Sequence, residues 1–403
     1  MPENAEQEQA VNEARLAASR RRTALFLEQI KKLRGSDFPH KDSENALEQI
    51  DEHITALKDD LADTDGYSIK LIQGLCLRSL EEVESYLPVL GFILRSTNVR
   101  NAFEGYDPLK DVVVKAIDAE AQLVVSSEWD FVPFTYPMSL AVLPNHVLVG
   151  GPAHESSGAL LMPISGHEIG HSAWKFNGLA DAIGSKFTSA IENLLAKDED
   201  LSGELKTHLG EDCAGFLRDE GIRRVEELFC DAFGLILFGE AYFYAFEYLI
   251  YPGGSERDSD YPSEEHRVRF LMDCAEKEGI ELPEGIGEGW RLSPDNPVHD
   301  SDVEELLDKA AAAIESDIYA AATKLIDDST IPRPNSELIA QVEANFRKAV
   351  PHPNATDLSN IVCAGWRIFR AQGESKIDPK ISVEEPMLKS IEVSEYLHRT
   401  SEC

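Results

Sequence analysis

The residues best suited to do chemistry lie in the segment SGHEIGHSAW, residues 165–174. His167 and His171 are four residues apart, so on a helix their side chains differ by about 40° in azimuth and one turn in height. Two imidazoles placed in this way can bind a single Zn²⁺ at about 2.0–2.1 Å. Glu168 lies about 100° further round the helix, where it does not compete for the metal and can reach a water that the metal binds. The pattern therefore predicts a hydrolytic zinc site, with Glu168 as its general base.

Such a site needs a third protein ligand and an open fourth position for water. The metzincin pattern continues with glycine and histidine after the motif, whereas SAWKFNG follows here, which excludes that class. The segment RRVEELFCDAFG places Glu227 and Asp231 one turn apart on one helical face. Two acidic side chains on an apolar helix are costly to bury unless a cation or a hydrogen-bond donor meets them. We expect Glu227 to bind zinc and Asp231 to accept the N–H of a ligating imidazole, with Glu226 as the rival third ligand.

The motif HEIGH followed by ELFCD resembles the gluzincin metallopeptidases, the thermolysin-like group with HExxH and a downstream ExxxD. The resemblance implies that His167, His171 and Glu227 bind zinc. It also implies that Glu168 is the general base and that Asp231 orients a ligand.

The resemblance covers about residues 144–269 and departs from the thermolysin pattern in one spacing. Glu227 lies 56 positions after His171 (227 − 171), which is longer than in thermolysin. The additional length predicts a helical insertion over residues 179–217.

Two flanking segments are also similar to parts of a zincin cleft. The segment HVLVGGPA, residues 146–153, predicts a strand along the cleft edge that pairs with a peptide, or else an ordinary edge strand. The segment YPSEEHRVRFL looks like an HPPxxxR element, with Tyr261 in the His place and Arg267 in the Arg place. Tyr261 or His266 would then donate a hydrogen bond to the oxyanion of the tetrahedral intermediate. Capping of a helix by Ser263 explains the same sequence nearly as well.

The helical and strand patterns of the sequence predict a predominantly helical α+β fold. A zincin-like core is expected to lie between helical extensions. Residues 1–120 form a helical N-terminal region that begins with a helical hairpin over residues 3–62, and its helices are predicted to break at Pro88 and Pro108. Residues 121–281 form the catalytic core, which starts with short strands, and residues 301–403 form a helical C-terminal region. In that last region residues 303–326 are predicted as one amphipathic helix.

The very apolar run of residues 233–251 is long enough to cross a bilayer, but Glu240 and Glu247 lie inside it. Because charges within a membrane span are costly, we expect a buried core helix there. The N-terminal segment has no apolar core after its positive charges, and the six cysteines are scattered as expected of reduced thiols. These features predict a cytoplasmic protein without a membrane partner.

The formal net charge of −35 argues against nucleic acid and anionic membranes as partners, because both repel an acidic protein. The expected activity is zinc-dependent hydrolysis of peptide bonds in a peptide or protein substrate. Two alternatives stay open: a non-peptide amide hydrolase on the same zinc site, and a non-catalytic interaction protein that acts through its helices. The N-terminal hairpin is expected either to pack as an extension or to bind a partner, including a second copy of the chain.

Overall fold

The computed structural model describes residues 2–96, 100–128, 134–135, 143–251, 261–283, 286, 290, 302–373 and 382–401. Within these residues the chain is predominantly helical, as predicted, with one small sheet. The helices before the sheet are α1 (Pro2–Leu33), α2 (Lys41–Ala62), α3 (Ile69–Arg95) and α4 (Arg100–Ala116). The strands are β1 (Gln122–Glu128), β2 (Phe134–Thr135) and β3 (His146–Pro152). The helices that follow are α5 (Ile164–Phe176), α6 (Leu179–Leu195), α7 (Glu199–Leu209), α8 (Cys213–Phe238), α9 (Glu240–Ile250) and α10 (Glu264–Lys277). The C-terminal helices are α11 (Asp302–Ala312), α12 (Glu315–Asp328), α13 (Ser336–Phe346), α14 (Leu358–Gly373) and α15 (Glu384–Ser401).

The sheet has the strand order β1-β3-β2 in the described part of the chain. β1 runs parallel to β3 along its whole length, from Gln122 opposite His146 to Glu128 opposite Pro152. β2 pairs antiparallel with β3 at Val149 and Gly150. The prediction that residues 146–153 form an edge strand is therefore wrong, because β3 has a described strand on each side. A peptide cannot pair with β3 at the positions that β1 and β2 already occupy.

The sheet separates two apolar cores because successive side chains of a strand point to opposite faces. Leu123, Val147 and Val149 face a large core that α5, α8, α9 and the C-terminal helices share. Val124 and Leu148 face a second core built with α1, α2 and α3. α1, α2 and α3 thus cover one face of the sheet. α4 and α5, which carries the HExxH motif, belong to the core on the other face.

The N-terminal helices bury the apolar seams that the sequence spaces along α1 and α2. Phe26 and Ile30 of α1 are buried, as are Leu47 and Ile50 of α2, and α3 packs against both helices. The predicted helix breaks are wrong, since Pro88 lies inside α3 and Pro108 inside α4. In α3 both Pro88 and Glu84, whose carbonyl loses its helical partner, are exposed, so water can meet that carbonyl.

The very apolar run after the motif forms two helices instead of the single core helix predicted. Gly239 ends α8 with φ 58° and ψ −140°, a backbone conformation that glycine adopts readily, and α9 starts at the next residue. Both helices are buried along most of their length, as predicted. The predicted helix over residues 303–326 is likewise divided, into α11 and α12. Among the described helices, none combines the length and the apolarity needed to cross a membrane.

Candidate metal centre

The HExxH helix α5 packs directly on the backbone of α8. A Cβ atom added at Gly170 would lie 3.1 Å from the Cα of Cys230, and one at Gly166 would lie 3.2 Å from the Cα of Gly234. Positions four apart on each helix thus meet in reverse order, so the two helices are antiparallel at very short range. Gly166 and Gly170 thus let α5 approach α8 closely because they have no side chain. α5 ends at Phe176, and Gly178, shortly after it, has φ 61°.

This close packing brings the Nε2 atoms of both motif histidines to one carboxylate. His167 Nε2 lies 3.1 Å from Glu227 Oε2, and His171 Nε2 lies 3.5 Å from Glu227 Oε1. The two imidazole rings meet edge to face with their centroids 4.9 Å apart. All three side chains are buried, and Glu227 has no exposed surface at all. The structure therefore brings together the three residues predicted as zinc ligands.

The other nitrogen of each imidazole meets a different carboxylate. His167 Nδ1 lies 3.0 Å from Asp231 Oδ1, and His171 Nδ1 lies 2.7 Å from Glu226 Oε1. In metal sites a ligating histidine commonly donates its second ring N–H to a carboxylate, which fixes the orientation of the ring. Asp231 has the position expected of it. Glu226 lies on the outer side of His171, whereas Glu227 lies on the side where the two Nε2 atoms face each other.

Two further residues hold Asp231 in place. Arg267 of α10 donates from Nε and Nη2 to the two carboxylate oxygens, each at 2.7 Å. Tyr242 of α9 donates its hydroxyl to Asp231 Oδ1 at 2.7 Å and lies 3.2 Å from His167 Nδ1. Sequence reasoning placed Arg267 through the resemblance only and missed Tyr242. The signal for Tyr242 was a tyrosine within a very apolar run, since a buried tyrosine hydroxyl usually has a polar partner.

Burial and charge pairing set the proton affinities at the centre of the site. Burial lowers the pKa of His167, but hydrogen bonds to Asp231 and Glu227 outweigh it and raise the pKa to about 10. Burial raises the pKa of Glu227, but the hydrogen bond and charge of His167 outweigh it and lower the pKa to about 2. Asp231 likewise has a lowered pKa, because Arg267 outweighs the effect of burial. The centre is thus an acidic cluster that keeps a positive charge on His167, and a divalent cation could replace that proton.

Glu168 is buried near this cluster, on another part of the α5 surface. Burial raises the pKa of its carboxyl group, and the charge of Glu227 adds to the effect, while the imidazoles oppose it. A carboxylate whose pKa is raised toward neutrality suits a group that must accept a proton and later release it. The burial and the raised pKa of Glu168 are compatible with the predicted role of general base.

The mouth of the site carries Arg223 and Tyr261. Arg223 Nη1 lies 2.9 Å from Glu226 Oε1, and its Nη2 lies 3.2 Å from Glu227 Oε1. The hydroxyl of Tyr261 hydrogen-bonds to Arg223, and 39% of the tyrosine surface is exposed. Burial and the charge of Glu227 raise the pKa of Tyr261, which keeps its hydroxyl protonated as a donor. Tyr261 therefore lies beside Arg223, which itself contacts Glu226 and Glu227.

The rival donor, His266, is directed elsewhere. Its Nε2 lies 2.8 Å from Glu315 Oε1 of α12. Its backbone N–H donates to the Ser263 hydroxyl at 3.2 Å, so Ser263 caps α10 as the alternative interpretation of this segment predicted. Since the imidazole is paired with α12, Tyr261 is the better placed of the two donors.

The Nε2 atoms of the two motif histidines approach different oxygens of Glu227, His167 at 3.1 Å from Oε2 and His171 at 3.5 Å from Oε1. Two ligand atoms of a tetrahedral zinc ion with bonds of about 2.0–2.2 Å lie about 3.3–3.5 Å apart, so each separation is close to that of a ligand pair. Glu227 Oε1 is buried and accepts no hydrogen bond from the described residues, and the guanidinium of Arg223 faces it at 3.2 Å. A metal ion at Glu227 would therefore share this carboxylate with Arg223.

Among the described residues, three potential ligands whose donor atoms all lie within 4.8 Å of one another are His167, His171 and Cys230. The Cys230 Sγ lies 3.3 Å from His171 Nδ1, the nitrogen that Glu226 also meets. Burial and the neighbouring carboxylates raise the pKa of this thiol well above its ordinary value. A bound metal would itself deprotonate the thiol, so His167, His171 and Cys230 form a second candidate ligand set.

Comparison with known proteins found no match for this chain among protein-family models, curated proteins or solved structures. The functional argument therefore depends on the geometry of the site. That geometry consists of two imidazoles, a buried carboxylate between them and an outer carboxylate on each ring.

Proposed function

We propose that the chain is a zinc-dependent metallopeptidase with a zincin-like core. The observation that carries the proposal is the convergence of His167 Nε2 and His171 Nε2 on the fully buried carboxylate of Glu227. A carboxylate with both oxygens buried needs positively charged partners, and His167 and Arg223 meet it here. Buried clusters of charged groups with strongly shifted pKa values are common at sites that have a function.

In the proposed mechanism His167, His171 and Glu227 hold the metal. When bound, Zn²⁺ supplies Lewis-acid activation of water and of the scissile carbonyl. Glu168 accepts the proton of the attacking water and delivers it to the leaving amine. Tyr261 donates its hydroxyl hydrogen bond to the negative charge that develops on the carbonyl oxygen.

The outer residues keep the imidazoles in the orientation that this chemistry needs. Asp231 and Glu226 accept the Nδ1–H groups of the two histidines, which leaves both Nε2 lone pairs for the metal. Arg267 and Tyr242 fix Asp231 in turn. This chain of contacts joins α5, α8, α9 and α10 into one support for the site.

Zinc content tests the ligand set directly. The protein is purified without added metal, and its zinc is measured by elemental analysis beside Glu227→Ala and Glu226→Ala. We expect one zinc per chain in the wild type, loss of zinc in Glu227→Ala, and retention in Glu226→Ala. Wild-type protein that stays free of zinc after reconstitution would contradict the proposal.

Activity tests the reaction. Zinc-loaded protein is incubated with a mixture of peptides and with a panel of small amides, beside the Glu168→Gln variant. Cleavage of peptides by the wild type alone supports the metallopeptidase. Cleavage of small amides alone would assign the non-peptide hydrolase instead, and zinc binding without any hydrolysis would contradict both enzymes.

A further inference from the structure

The side chains of β1 and β3 are small at one pair of facing positions. Along β1 and β3 the pairs on the α5 side are Leu123 with Val147, then Val125 with Val149, and then Ser127 with Gly151. The first two pairs place branched apolar side chains against the large core. The third pair offers only a hydroxymethyl group and a hydrogen atom, so the row of apolar side chains stops there.

A cavity of about 40 Å³ occupies this place. Its walls include Val149 and Gly151 of β3, Leu109 of α4, and Met162 and Ser165 at the start of α5. A Cβ atom added at Gly151 would have no heavy atom within 4 Å, so the backbone there borders open space. The cavity therefore results from the residue types at the end of the two strands and does not come from poor packing of a helix.

The cavity lies on the same part of α5 as the proposed general base. Ser165, which lines it, precedes Glu168 by three residues, so the two side chains are about 60° apart around the helix. The glycines that contact α8, by contrast, lie about 160° from Glu168. Ser165 lines the cavity and Glu168 does not, but the two residues are neighbours on the surface of α5, and α5 contacts β3.

We propose that this cavity receives a small apolar side chain of the substrate, the size of alanine or valine, next to the bond that Glu168 helps to cut. The inference rests on the proposed peptidase function and adds a substrate preference to it. Since one water needs about 10–15 Å³ measured in this way, the cavity has room for a few heavy atoms only. A phenylalanine side chain is therefore too large for it.

The character of the walls selects an apolar group. Leu109, Val149 and Met162 are buried apolar residues, and a charged side chain placed among them would lose its hydration without a partner. Glu155 also borders the cavity, but its Oε1 accepts a hydrogen bond of 2.9 Å from the Tyr248 hydroxyl. This contact ties Glu155 to α9 at the edge of the cavity.

The test uses amino-acid hydroxamates, which bind zinc through the hydroxamate and differ in their side chain. Binding of the glycine, alanine, valine and phenylalanine hydroxamates to zinc-loaded protein is measured by calorimetry. We expect the alanine and valine compounds to bind at least about fivefold more tightly than the phenylalanine compound, because their side chains can be buried in the cavity and the phenyl ring cannot. Gly151→Val, whose side chain would fill the cavity, should abolish this preference and leave the glycine compound unaffected.

Gly203→Val on α7 is the matched control, because a Cβ atom there also has no heavy atom within 4 Å. Equal affinities for all four compounds, or a preference that Gly151→Val does not change, would overturn the inference. The peptide mixture of the activity test separates this failure from that of the proposed function. Cleavage without a side-chain preference contradicts only the proposed role of the cavity. A hydroxamate preference without any cleavage contradicts only the proposed peptidase activity. Failure of all four hydroxamates to bind would contradict both.

Discussion

Arg267 of α10 donates two parallel hydrogen bonds of 2.7 Å to Asp231 of α8, and both side chains are buried. Because Asp231 also meets Nδ1 of His167, the pair links α10 to the ring nitrogen that faces away from Glu227. A bidentate guanidinium fixes the plane of a carboxylate as well as its position. Through Asp231, therefore, α10 contributes to the orientation of the His167 imidazole.

Replacing Arg267 with lysine tests this relay. Lysine keeps the positive charge but offers a point charge instead of a planar fork, so Asp231 and the ring of His167 lose their fixed orientation. We expect zinc to bind about 10–100-fold more weakly, measured by competition with a chelator of known affinity. Arg269→Lys on the same helix, where Arg269 is exposed and pairs with Glu315, should leave zinc affinity unchanged. Equal zinc affinities of Arg267→Lys and the wild type would refute the relay.

The short distance between α5 and α8 predicts a cost for any side chain at Gly170. A methyl group there would meet the Cα, Cβ and Sγ atoms of Cys230 at 3.1–3.2 Å, and the backbone atom cannot move without shifting α8. We expect Gly170→Ala to lower the free energy of unfolding by about 1–3 kcal/mol and to weaken zinc binding, because the histidines shift away from Glu227. Urea denaturation and elemental analysis measure the two effects.

Gly203→Ala on α7 is the control for Gly170→Ala. The added methyl group meets nothing there, so the gain in helix propensity should stabilise the protein by up to about 1 kcal/mol. If both alanine variants were equally stable, the close contact of α5 and α8 would not limit the size of the side chain at position 170.

The sequence predicts the part of the candidate site in which residues are close together along one helix. His167 and His171 are fixed by a four-residue interval on one helix, and so are Glu227 and Asp231 on another. Tyr242 was missed because its approach to Asp231 depends on the turn at Gly239, which folds α9 back on α8. The central position of β3 was missed for a related reason, since strand order depends on long-range pairing that a single strand does not encode.

Three isosteric substitutions should separate the roles of the acidic residues Glu168, Glu226 and Glu227. Glu168→Gln should keep zinc and lower the rate of hydrolysis by about 10²–10⁴-fold, because an amide cannot accept the proton of water. Glu227→Gln should lose zinc, since a neutral amide is a poor replacement for a carboxylate ligand. Glu226→Gln should keep zinc with about tenfold lower affinity, because only the outer hydrogen bond to His171 changes. Zinc loss in Glu226→Gln but not in Glu227→Gln would exchange the two assignments.

A histidine far from the metal centre predicts how stability depends on pH. His146, at the start of β3, is buried, and desolvation lowers its pKa to about 4 although Asp42 opposes the shift and Lys110 adds to it. The unfolded chain has the ordinary value of about 6.5, so it binds a proton between pH 6.5 and 4 while the folded protein does not. The contribution of His146 to stability is therefore complete above pH 6.5 and falls by about 3 kcal/mol as the pH drops to 4. Urea denaturation between pH 7 and 4.5 should show a steeper loss of stability in the wild type than in His146→Gln, whereas His208→Gln, at an exposed position on α7, should follow the wild type. Parallel curves for the wild type and His146→Gln would mean that His146 is protonated in the folded protein.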